Sequence, residues 1–98
     1  MERDVEKRLG AGVKLRGGRS FKWVSPGNAG VPDRIIVMPS GRVIFIELKE
    51  VGGRLSRQQE LQIRKLQNLG ADVRVLTGAH EVDVFLAELD YMKEVMPQ

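Results

Sequence analysis

The amino-acid sequence predicts an α/β fold in the order α-β-β-β-α-β-α, with a central mixed sheet flanked by helices. Three observations carry this prediction. Val5, Leu9 and Val13 recur every four residues, which is the apolar stripe of a helix. Two largely apolar, branched runs, 34–38 and 42–49, are separated only by Pro39-Ser40-Gly41 and read as an antiparallel hairpin. Ser56 and Gln59 form a capping-box pair that opens a helix between the second run and a later one, 73–76. The resulting β-α-β unit around residues 43 to 76 should cross over right-handed and set its two strands parallel.

Each element has its own boundary signals. The first helix runs from residue 2 to about 16, where Gly17 and Gly18 stop it. Residues 21–24 make a short strand of aromatic and branched character, followed by Ser25-Pro26-Gly27-Asn28-Ala29-Gly30, a loop by composition. Asp33 opens the next strand, directly after Pro32. Beyond the hairpin, Val51-Gly52-Gly53-Arg54 is a flexible, basic loop. The helix capped by Ser56 reaches about Leu69, and Gly70 ends it. The last helix, 79–93, puts Val82, Phe85, Leu86, Leu89 and Met92 on one face. Met92 and Met96 carry this stripe past the expected edge of the core, which favours a dimer contact.

A chain of 98 residues closes around one hydrophobic core, so residues 1–98 read as a single domain. With 42% hydrophobic and 30% charged residues it folds as a globular unit, and so small a core would gain from dimerisation. The absence of cysteine excludes disulfides and thiolate metal sites. No run of about 18 apolar residues is long enough to span a membrane, and the N-terminus carries no apolar leader, so the expected setting is cytosolic. A net charge of +3 suits a polyanionic partner, although many small proteins carry as much.

The chemistry concentrates in the strand of residues 43–49. Alternation puts Ile44, Ile46 and Leu48 on one face and Glu47 and Lys49 on the other, with Val43 and Phe45. Alone, Glu-X-Lys is an ordinary surface pair. If the hairpin closes at Ser40-Gly41, however, Asp33 lands beside Glu47 and Lys49. Alone, Asp33 is a turn residue after proline. Together the two carboxylates could share a hard cation such as Mg²⁺. Phosphodiester hydrolysis needs an activated water and stabilised negative charge, and such a cation supplies both. A lysine beside it can orient or deprotonate the water and offset phosphate charge. Gln59 shares the sheet-facing side of its helix with Ile63 and Leu66. An uncharged polar group there needs a partner, supplied either by the site or by the helix cap. On the first helix, Glu2 lies near the centre of the apolar stripe and Glu6 at its edge. Either reaches a metal, or serves as a solvated carboxylate near the helix N-terminus.

The segments Lys22-Trp23-Val24-Ser25-Pro26-Gly27, Gly30-Val31-Pro32-Asp33-Arg34, Ile46-Glu47-Leu48-Lys49 and Leu55-Ser56-Arg57-Gln58-Gln59, in this order, resemble the PD-(D/E)XK nuclease superfamily and more closely its VRR-NUC branch. The resemblance covers roughly residues 2 to 90. It implies a restriction-endonuclease-like fold and a DNA endonuclease dependent on Mg²⁺ or Mn²⁺. It makes Asp33, Glu47 and the main-chain carbonyl of Leu48 metal ligands, and gives Lys49 the positioning or activation of the attacking water. Gln59 matches the family's helix glutamine. The family's first-helix glutamate falls on Glu6, as catalytic residue and further ligand, where the stripe geometry slightly prefers Glu2.

Stand-alone members this short are phage or bacterial proteins, which implies the cytoplasm of a bacterium or a phage-infected host. Some relatives resemble Holliday-junction resolvases and form homodimers, which implies four-way junctions as substrate, since a symmetric dimer presents two sites to opposed strands. The alternatives are a nuclease of ordinary duplex DNA and a DNA-binding module without catalysis. Arg16, Arg19, Lys22, Arg34, Arg54 and Arg57 are expected near the loops flanking the site, with Lys22, Arg34, Arg54 and Arg57 as the DNA-binding set. Trp23 faces away from Lys22 and reads as a core or dimer contact rather than a base-stacking platform. The Gly52-Gly53 loop reads as a segment that moves to admit DNA. His80 has no catalytic role in this reading.

Overall fold

The computed structural model describes residues 2–95, and for Glu2, Glu94 and Val95 the backbone alone. Met96, expected to extend the last helix's stripe, lies outside the described residues. The predicted order holds: α1 (Glu2–Leu15), β1 (Arg19–Lys22), β2 (Arg34–Val37), β3 (Val43–Lys49), α2 (Arg57–Asn68), β4 (Val73–Thr77) and α3 (Gly78–Val95). The four strands form one sheet in the order β1-β2-β3-β4. β1–β2 and β2–β3 are antiparallel and β3–β4 is parallel, so the sheet is mixed.

Glycine turns set the first boundaries. Gly17 takes φ 85°, and the Gly18 N–H donates to the Val13 carbonyl at 3.0 Å, closing α1 with a left-handed cap. This cap is tight, so β1 begins at Arg19 rather than at residue 21 as the sequence suggested. Trp23 then adds one further rung beyond β1, its N–H donating to the Asp33 carbonyl at 2.8 Å. Between β2 and β3, Pro39–Gly41 form a 3-10 turn in which Ser40 has φ 76°.

The core lies on one face of the sheet. Ile36, Ile44, Ile46, Leu48 and Leu76 meet Val5, Leu9 and Val13 of α1 and Val82, Phe85, Leu86 and Leu89 of α3. Full burial of each such aliphatic side chain is worth about 1.5–3 kcal/mol, and this apolar layer is the main stabilising element. Met92 packs against the same core. Gly12 lets α1 approach α3 closely, since a Cβ there would meet the Leu86 side chain. Arg8 pairs with Asp83 and Arg16 with Asp90 across the two helices. That places Arg16 at the α1–α3 surface, not at the loops beside the candidate site.

The opposite face carries Arg19, Phe21 and Trp23, then Asp33, Ile35 and Val37, then Val43, Phe45, Glu47 and Lys49 by register. α2 packs on its β4 side, with Ile63 and Val73 buried. The β1–β2 side of this face is less covered, and Phe21 and Val43 are exposed at 45% and 41%. Among the described residues, no helix is long and apolar enough to cross a membrane.

Candidate active site

Alternation along β3 turns Glu47 and Lys49 toward α2, away from the core. Arg34 is registered with Ile46, so the preceding residue, Asp33, lies beside Glu47 on that same face. Asp33 is anchored twice. Its Oδ2 accepts from the Leu48 N–H at 3.1 Å, and its carbonyl accepts from the Trp23 N–H. Glu47 is 1% exposed. Its Oε2 accepts from Gln59 Nε2 at 3.1 Å and lies 3.5 Å from Lys49 Nζ.

Gln59 fills both roles that its position allowed. Its Oε1 accepts from the Ser56 N–H at 2.8 Å, and its own N–H donates to Ser56 Oγ at 3.1 Å, completing the capping box. With the amide oxygen committed to the cap, the amide NH₂ is the group left to face Glu47. The start of α2 therefore fixes both the orientation of one amide and the rotamer of one carboxylate.

Glu47 Oε1 is buried and has no hydrogen-bond partner among the described residues. An ionised carboxylate so placed is costly, and the carboxyl pKa rises from 4.5 to about 7. Burial is the largest cause and the Asp33 charge the next; Lys49 opposes both. One ammonium at 3.5 Å thus does not offset the two acids. A divalent cation between Asp33 and Glu47 would fill the unused valence of Oε1 and remove the repulsion. The side-chain donors here are carboxylate oxygens, which suit a hard ion such as Mg²⁺ or Mn²⁺.

The loop ahead of Asp33 closes onto the same helix end. Gly30 has φ 89°, and a Cβ on it would lie 2.6 Å from the Gln58 carbonyl carbon and 2.9 Å from the Gln59 nitrogen. Pro32, two residues on, is fully buried. Close backbone contact at Gly30 thus sets Asp33 and Gln59 relative to each other.

Other expected residues sit elsewhere. Glu6 Oε2 pairs with Arg34 Nη2 at 3.0 Å. By register Arg34 shares a row with Lys22, Ile46 and Arg74, on the α1 face of the sheet. The physical reason is alternation: a residue adjacent to Asp33 on a strand must point the opposite way. Glu6 and Arg34 therefore engage each other instead of joining Glu47. The Glu2 side chain lies outside the described residues. No group of three or more Asp, Glu or His side chains among the described residues forms a metal-holding cluster. Lys22 is exposed on the Arg34 row, Arg19 lies 5.5 Å from the Phe21 ring centroid, and Arg54 and Arg57 are exposed on the loop and first turn that follow Lys49.

Trp23 was not expected at the site. It lies on the rung of Asp33, and its ring centroid is 5.3 Å from that of Phe45. Its alternation with Lys22 was legible, but its neighbour became visible only once the β1–β2 register was fixed. A cavity of about 450 Å³, bordered by Val5, Arg8, Val51 and Gly78, includes none of the expected site residues.

Residues 10–80 match the VRR-NUC domain. A protein of Acyrthosiphon pisum secondary endosymbiont phage 1, named "Putative nuclease p44", is 41% identical over 75 residues, which are 76% of this chain and 81% of that protein. A solved structure described as a VRR_NUC domain superposes with a TM-score of 0.78 at 24% identity, covering 97% of this chain and 96% of the other. A second, described as a VRR_NUC domain protein, gives 0.71 at 19% identity over 96% and 88% of the two chains. At these identities the two structures speak to the fold, and they agree with a mixed sheet flanked by helices.

Proposed function

Because the chain belongs to the VRR-NUC family, we propose that it is a nuclease, and specifically a Mg²⁺- or Mn²⁺-dependent endodeoxyribonuclease with its centre at Asp33, Glu47 and Lys49. The observation that carries this reading is the buried, unpartnered Oε1 of Glu47 beside a second carboxylate and a lysine. A protein that only bound DNA would gain nothing from two clustered acids near phosphate.

Asp33 and Glu47 would hold the ion, with the Leu48 main-chain carbonyl as a further ligand. When bound, the ion supplies an acidified water and stabilises charge on the phosphoryl oxygens. The chain's own residues do the rest. The Leu48 N–H holds Asp33 Oδ2, which leaves Oδ1 to face a ligand. Gln59 locks the Glu47 rotamer from the helix cap. Lys49 orients the attacking water and offsets phosphate charge. Glu6 takes the part of holding Arg34 in place, instead of the ligand and catalytic roles that the family register suggested. Lys22, Arg54 and Arg57 carry exposed charge for backbone phosphates.

The finer reading is a homodimer that cuts branched DNA such as four-way junctions. The exposed Phe21 and Val43 on the uncovered part of the sheet support a second copy there. A cleavage panel tests the whole reading, with linear duplex, single strand, flap, splayed arm and four-way junction in Mg²⁺ and in Mn²⁺. Cleavage is expected only with added cation, to vanish with chelator, and to be faster on the junction than on linear duplex. Equal rates on all substrates would remove the junction preference. DNA binding without cutting in either metal would remove the nuclease.

A further inference from the structure

The position of Trp23 carries an inference that rests on the nuclease reading and deepens it. We propose that Trp23 is a substrate-binding residue, whose indole forms the apolar wall against which the nucleotide beside the cleaved phosphate packs.

The placement follows from the ladder. The Trp23 N–H donates to the Asp33 carbonyl at 2.8 Å, so Trp23 occupies the rung of Asp33 and projects to the face that bears Glu47. Neighbouring strands lie about 4.8 Å apart, so β1 and β3 are separated by roughly twice that. The Trp23 and Phe45 ring centroids are nonetheless only 5.3 Å apart, at an interplanar angle of 42°. The indole must therefore lie across β2 and lean on Phe45, which precedes Glu47 by two residues on the same face.

Trp23 is half-buried and stands outside the hydrophobic core, which occupies the other side of the sheet. Phe45 packs against the ring, and part of Trp23 stays accessible. The first turn of α2, in close contact with Gly30, carries the exposed Arg57. This face of the molecule thus brings Trp23 together with the acid pair and Lys49, with the exposed Arg57 at the start of α2.

A nucleotide joins an anionic phosphate to a flat apolar base, and that pairing of chemistries matches a cation site next to an indole. In intact duplex both faces of each base are already stacked. The wall therefore favours DNA with an unstacked base next to the scissile phosphate, as at a branch point.

Trp23 is the chain's only tryptophan, so its emission reports this contact directly. The experiment titrates the full chain with a labelled four-way junction, Ca²⁺ replacing Mg²⁺ to prevent turnover, and follows DNA anisotropy and tryptophan emission together. Emission is expected to change in step with anisotropy. Trp23→Ala is expected to weaken junction binding or raise KM by roughly ten- to a hundredfold, with kcat much less affected, and Trp23→Phe to recover most of the loss. Anisotropy that saturates while emission stays constant would overturn the proposal. No anisotropy change at all would overturn both this proposal and the DNA-cleavage reading. The emission measurement uses the unaltered protein, so it stands even if Trp23→Ala fails to fold.

Discussion

Glu47→Gln is expected to lower DNA cleavage by at least about a hundred- to a thousandfold, the loss seen on removing one preorganised charge-stabilising group. The same substitution is expected to stabilise the cation-free protein above neutral pH. Glu47 has a carboxyl pKa raised from 4.5 to about 7, chiefly by burial and then by Asp33. The folded state consequently holds its proton more tightly than the unfolded chain does. The sign follows from linkage: the stability associated with that proton is fully present below about pH 4.5 and is lost as pH rises through about 7. Above pH 7 wild type therefore carries a penalty on the order of 3 kcal/mol, part of which glutamine removes. Glutamine keeps an oxygen for the Gln59 amide but leaves Lys49 without its counter-charge, so a net gain of about 1–2 kcal/mol is the expected size. Denaturant melts of both proteins at pH 5 and pH 8, with chelator present, check this. Glu47→Gln should be the more stable at pH 8, and the difference should shrink toward pH 5. A wild type that gains stability between pH 5 and 8 relative to the variant would contradict the buried, strained carboxylate.

The second large effect is expected at Gly30. Alanine there must adopt φ near 89°, which costs an L-residue about 1–2 kcal/mol. Its Cβ would also press on backbone atoms of Gln58 and Gln59, which cannot swing aside like a side-chain tip. Overpacking of this kind typically costs about 1–3 kcal/mol. The sum, about 2–5 kcal/mol, is a large share of the stability of a small domain. Cleavage should fall with it, because shifting the α2 start moves Gln59 off Glu47. Gly27→Ala is the matching control: Gly27 also has positive φ, at 80°, but nothing lies within 4 Å of its Cβ position. Thermal melts should show a clearly larger drop for Gly30→Ala than for Gly27→Ala, which bears the φ cost alone, with cleavage retained in the latter. Equal drops would mean that the loop does not brace the site.

Most of this arrangement was legible from alternation and caps. Counting back from Ser40-Gly41 placed Asp33 beside Glu47, and the period of two put Lys49 on the same side. Val5, Leu9 and Val13 identified the buried stripe of α1. That stripe tells which side of a helix faces the sheet, but not which strand residue each flanking carboxylate meets, and Glu6 met Arg34. Arg34 itself was readable, since it is adjacent to Asp33 and must project the other way. Gln59 stayed ambiguous because capping and site binding appeared to compete; one amide carries both a donor and an acceptor, and here each serves one purpose. Trp23 was out of reach because its neighbour across the sheet depends on where β1 starts, and the tight Gly17-Gly18 cap moved that start by two residues.

Whether Asp33 and Glu47 jointly hold a divalent cation is decided most directly by Mn²⁺ titration followed by electron paramagnetic resonance, on wild type, Asp33→Asn and Glu47→Gln. Asparagine can still accept the Leu48 N–H bond, so the first variant tests charge with the shape kept. Wild type should bind Mn²⁺, and both variants should bind it at least about tenfold more weakly, the loss expected when one ligand's charge is removed. Undiminished Mn²⁺ affinity in both variants would mean that the ion, and with it the chemistry, belongs somewhere else on the molecule.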